Sequence, residues 1–132
     1  MYEYKIKEVS RVVDGDTVDL IIDLGFSLTK KERVRLAGID TPESRTRDLE
    51  EKELGIEAKD FLYRRLSEGS NLTVQTEKDG KYGRMLGWIY IGSQNVNKEM
   101  IERGYAWEYD GGTKEKDLNT LKIKRGLITE VW

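Results

Sequence analysis

The chain has 132 residues, 37% of them apolar and 36% charged, with 23 Lys and Arg set against 25 Asp and Glu, and it contains neither histidine nor cysteine. That length supports one compact domain with a single core and is too short for two. The formal charge of −2 argues against a protein that merely coats nucleic acid, because sequence-independent affinity for phosphates comes from a cationic surface. Without imidazole or thiolate, hydrolytic chemistry has to rest on carboxylates, guanidinium groups and a hard cation. No apolar run approaches the roughly 20 residues that span a bilayer. The segment Met1 to Lys5 lacks the features of a secretory leader. The chain therefore reads as a soluble, cytoplasmic monomer.

In chain order, apolar residues recur through Ile6, Val9 and Val12, then Val18, Leu20 and Ile22, then Val34, Leu36 and Ile39, with turn residues at Asp14-Gly15 and Leu24-Gly25. This predicts three strands joined by hairpins. From Ile56 to Leu66, the residues Ala58, Phe61, Leu62 and Leu66 follow helical spacing, and Gly69 supplies a stop. Leu72 to Thr76 and Met85 to Ile91 read as two more strands, joined by a hairpin through residues 79–83. Val96, Met100 and Ile101 predict a second helix ended by Gly104, and Leu118, Leu121 and Ile123 a third. Residues 1–132 form one unit, with 126–132 expected as a loose tail.

Five short strands with a helix between the third and fourth match the layout of an α+β fold, a five-stranded OB-type β-barrel with three helices. Curling the sheet on itself hides backbone groups that an open five-stranded sheet would expose at its edges.

Three segments carry candidate chemistry. In Val13-Asp14-Gly15-Asp16-Thr17-Val18, two carboxylates flank a glycine; the segment reads either as a tight turn or as a cation site, and its spacing rules out an EF-hand loop. In Val34 to Glu43, Arg35 lies on a strand and Asp40, Thr41 and Glu43 follow at its end. Pro42, the only proline, stiffens the backbone there. Lys81-Tyr82-Gly83-Arg84 places two cations and an aromatic at a strand entry. Each segment alone is also what a capped turn or a solvated loop looks like; their coincidence near one barrel mouth is what distinguishes them.

These three segments resemble the signature segments of the staphylococcal nuclease (thermonuclease) family. Leu54 to Ala58 and Asn95 to Ile101 are similar to the starts of that family's first two helices, so the likeness spans about Tyr4 to Leu121. The resemblance implies a nuclease that hydrolyses phosphodiester bonds of DNA, RNA or both with low sequence specificity. It implies preference for single-stranded or breathing substrate, and 3′-phosphate and 5′-hydroxyl products. One calcium ion would be held by Asp16, Asp40 and the carbonyl of Thr41. Glu43 would act on the attacking water as base or positioning group, and Arg35 and Arg84 would grip the scissile phosphate. Lys81 and Tyr82 would meet a terminal phosphate of a bound nucleotide. The segment Tyr105 to Gly112 departs from the family's aromatic spacing, which makes Tyr109 and Trp107 alternative stacking partners for a base.

Elementary chemistry agrees with the implied roles. The transition state of phosphodiester hydrolysis gathers negative charge on the non-bridging oxygens, so cations fixed there in advance lower the barrier. Guanidinium suits phosphate better than ammonium does, and ligands that are all oxygen favour calcium or magnesium. The competing expectation is a non-catalytic OB-fold module that binds nucleic acid or protein; such modules usually lack these acids and arginines.

Overall fold

The structure is a computed structural model that describes residues 2–76, 85–112 and 117–129. The hairpin expected at 79–83, and with it Lys81, Tyr82 and Arg84, lies outside the described residues.

Strands β1 (Tyr2–Asp14), β2 (Thr17–Gly25) and β3 (Leu28–Leu36) form an antiparallel meander. On its other side β1 pairs with β5 (Leu72–Thr76), which pairs with β6 (Met85–Ile91). Parallel pairing of β3 with β6, through Val34↔Met85, Arg35↔Leu86 and Leu36↔Gly87, closes the five strands into the expected barrel. The closure joins the strand that carries Arg35 directly to β6.

In β2 and β3 the strand period of two sends Val18, Leu20, Ile22, Val34 and Leu36 into the core, each no more than 2% exposed. Strand β1 breaks that period. Its inward residues Ile6, Val9 and Val12 are three apart, whereas their partners Ile22, Leu20 and Val18 are two apart. Three register shifts along β1 each absorb one extra residue and restore the facing, as β-bulges do. They also bend the strand, which a small barrel requires.

Helix α1 (Leu49–Glu68) begins seven residues before the expected Ile56. Its first turns, Leu49-Glu50-Glu51-Lys52-Glu53, bury nothing and so show no apolar period. What starts the helix is Asp48, whose carboxylate accepts the backbone N–H groups of Glu50 and Glu51. Leu54 is buried, and Ala58, Phe61, Leu62 and Leu66 then join the core of the barrel.

The third strand also ends earlier than its apolar pattern suggests. A turn at Ala37-Gly38 separates it from the two-residue strand β4 (Ile39–Asp40). Gly38 has φ 76°, and a Cβ there would lie 2.5 Å from the Trp88 ring, so both backbone and space require glycine. After β6 come β7 (Gln94–Asn95), α2 (Val96–Glu102), β8 (Trp107–Glu108) and α3 (Leu118–Lys124). Strands β4 and β8 pair, with Asp40 opposite Trp107.

Asn97 of α2 holds the turn after β3 against β6. It is fully buried; its side-chain amide donates to the carbonyls of Ala37 (2.8 Å) and Gly87 (3.0 Å) and accepts the Ile89 N–H (3.1 Å). Removing it strands a buried donor and a buried acceptor. Asn97→Ala is therefore expected to lower unfolding stability by about 2 kcal/mol. The urea midpoint should fall with an unchanged m-value; an unshifted midpoint would contradict this role.

Candidate active site

The β1–β2 loop consists of Gly15 and Asp16, set between the paired Asp14 and Thr17. Gly15 does not take the left-handed conformation that an Asp-Gly turn usually exploits. Space requires it instead: a Cβ would stand 2.9 Å from Ala58 Cβ and 3.1 Å from Thr41 Cγ2 and Oγ1. The loop is thereby pressed against both α1 and the segment that follows β4.

Asp16 is fixed at both ends. Its Oδ1 accepts the Thr17 hydroxyl at 3.0 Å, and its carbonyl accepts the Leu36 N–H at 2.8 Å. Across the ladder from Thr17 stands Arg35. Arg35 Nη1 donates to the Leu36 carbonyl at 2.9 Å, and Nη2 lies 3.5 Å from both Asp16 Oδ2 and Asp40 Oδ1. Residues 16, 35 and 40 thus converge, with the two carboxylates meeting at one guanidinium nitrogen. Their side chains keep only 14%, 15% and 6% of their surface, so their charges act with little water between them.

Thr41 and Pro42 are buried, and the next carboxylate after Asp40 belongs to the exposed Glu43. Among the described residues that carboxylate has no hydrogen-bond or ion-pair partner, whereas the Glu43 backbone N–H donates to Glu51 Oε2 at 3.1 Å. Burial pushes the Asp14 carboxyl above its ordinary range, against hydrogen bonds from the Ser44 hydroxyl and the Gly15 N–H, while the neighbouring Asp16 charge adds to the rise.

Next to Arg35 opens a cavity of about 380 Å³ lined by Gly38, Ile39, Leu86, Trp88 and Tyr109 among others. Tyr109, expected as a stacking residue, lines this cavity, and its N–H donates to the Gly38 carbonyl at 2.9 Å. Trp107 does not line it. It is 5% exposed, and its indole N–H donates to the Asp117 carbonyl and the Thr120 hydroxyl, so it is a core residue with no face for a base. Trp88, within the strand Met85–Ile91, supplies the second aromatic of the cavity.

The oxygen donors here suit a hard cation. Two carboxylates against one guanidinium leave a net negative charge, and Thr41 Oγ1 is sealed from solvent with no hydrogen-bond partner among the described residues. No group of three or more carboxylates gathers among those residues. A cation would therefore take the remainder of its shell from main-chain oxygen and solvent, an arrangement open to calcium with its six to eight ligands.

Residues 33–125 match the family model described as staphylococcal nuclease homologue. The chain is 32% identical over 129 residues to the thermonuclease of Staphylococcus hyicus, covering 91% of this chain and 73% of that protein. To an uncharacterized endonuclease of Escherichia coli O157:H7 it is 35% identical over 128 residues, covering 92% and 76%. To an uncharacterized 38.1 kDa protein of Capnoides sempervirens it is 38% identical over 140 residues, covering 97% of this chain and 39% of the plant protein. The chain thus spans well under half of that plant relative and about three quarters of the other two.

Proposed function

Because the chain belongs to the staphylococcal nuclease family, we propose that it is a calcium-dependent nuclease. It would hydrolyse phosphodiester bonds of DNA, RNA or both with little sequence preference, favour unpaired strands, and leave 3′-phosphate and 5′-hydroxyl ends. The observation that carries this reading is the meeting of Asp16 and Asp40 at the Arg35 guanidinium.

Asp16, Asp40 and the Thr41 carbonyl are the residues that would hold the ion, which when bound neutralises phosphate charge and polarises a phosphate oxygen. Arg35 presents a fixed, always-charged donor to the scissile phosphate, held in direction by the Leu36 carbonyl. Glu43, exposed and with no side-chain hydrogen-bond or ion-pair partner among the described residues, accepts the proton of the attacking water or orients that water. Arg84 is assigned the second guanidinium on the same phosphate, and Lys81 and Tyr82 the terminal phosphate, from the family pattern. The base attached to the scissile phosphate fits the cavity beside Arg35, between Tyr109 and Trp88. An aromatic pair stacks on any base, which accords with low sequence preference.

The test is cleavage of end-labelled single-stranded DNA. Calcium should give products that a polymerase extends only after phosphatase treatment, and chelator should abolish them. Equal cleavage in chelator would contradict the reading, as would a mobility shift without product across several divalent metals.

A further inference from the structure

Helix α1 carries a glycine in its second turn, Gly55, where alanine would be about 1 kcal/mol better in a solvated helix. The reason lies in what faces it. A Cβ on Gly55 would stand 2.5 Å from both the carbonyl carbon and the oxygen of Glu43, and 2.7 Å from the Ser44 nitrogen. No real Cβ tolerates such distances to backbone, so the main chain of Glu43 and Ser44 lies directly on the helix. One turn earlier on the same face, at i−4, Glu51 Oε2 accepts the Glu43 N–H. The Glu43 side chain has no partner of its own among the described residues, so its direction is set by where this main chain is pinned.

We propose that Glu51 and Gly55 are positioning residues for Glu43: the helix face they share fixes the peptide from which the water-directing carboxylate projects. This rests on the nuclease reading above. Neither residue touches substrate. Gly55 sets how closely the segment approaches and Glu51 sets its rotation, so both act on turnover through Glu43 and leave substrate capture by Arg35 alone.

The experiment is a double-mutant cycle on single-stranded DNA cleavage with calcium, with thermal melting as a control for folding. Gly55→Ala should lower kcat about a hundredfold, the scale of a displacement near 1 Å in a reacting group. Glu51→Ala should lower it about tenfold with KM unchanged, whereas Glu51→Gln, which keeps the acceptor, should stay within about twofold of the parent. In a Glu43→Gln background both substitutions should cost less than about twofold, because the group they position is already gone. Losses that multiply in full in that background would overturn the proposal, as would a Glu51→Ala kcat equal to the parent's. Should Gly55→Ala fail to fold, the Glu51 pair and the cycle with Glu43 decide alone. If Glu43→Gln itself leaves kcat unchanged, the assignment of Glu43 fails instead, a result separable from the failure of the positioning.

Discussion

Arg35→Lys should lower kcat about a hundredfold to a thousandfold, the cost of removing one preorganised charge-stabilising donor set. The substitution keeps the formal charge, so a loss of that size would come from geometry. Arg35 divides its guanidinium between two tasks: Nη1 is tied to the Leu36 carbonyl and Nη2 faces Asp16 and Asp40. The first contact sets the plane in which the remaining N–H groups reach a phosphate. A lysine ammonium is a point donor on a flexible stem and cannot hold that plane and present two parallel donors together. Steady-state kinetics on a defined single strand should show the loss in kcat with a smaller change in KM. A drop of less than about fivefold would remove Arg35 from the reacting phosphate.

Glu43→Gln comes second, with an expected loss in kcat of about a hundredfold to ten-thousandfold, the usual range for a positioned general base. The amide has the carboxylate's size, and Glu43 is an exposed residue whose side chain makes no hydrogen bond or ion pair among the described residues, so the melting temperature should hardly move. Loss of activity with unchanged stability is the signature of a group that works on water and not on the fold. Intact turnover in this variant would mean that solvent or another group deprotonates the nucleophile.

Much of the barrel was legible because its strands bury one face. The spacing of Val18, Leu20, Ile22, Val34 and Leu36 was enough to place two strands, and Ile6, Val9 and Val12 placed a third although bulges stretch its period to three. The start of α1 was hidden, since a charged first turn capped by Asp48 buries nothing and mimics a loop. Two-residue strands such as β4 and β8 carry no period at all, so the pairing that fixes Asp40 against Trp107 had no local signal. It also explains why Trp107 could not be told from a stacking residue by sequence: its indole is claimed by partners 10 and 13 residues away.

The acids and Arg35 were readable as a set, and the structure brings Asp16, Arg35 and Asp40 together while leaving Glu43 exposed a few residues on. Their supports were not readable. Gly55 in sequence is merely a poor helix former, Asn97 resembles a solvated helix polar residue, and Glu51 is one acid among several. Each acquires meaning only from a segment of another element or loop that packs against it.

The proposed nuclease needs a dication held by Asp16, Asp40 and Thr41 beside the guanidinium of Arg35. Crystals soaked with calcium and a nucleoside 3′,5′-bisphosphate test it most directly. One ion should be bound by both carboxylates and the Thr41 carbonyl, with a phosphate on Arg35 and the base between Tyr109 and Trp88. An ion bound elsewhere, or a phosphate that engages neither Arg35 nor the ion, would contradict it.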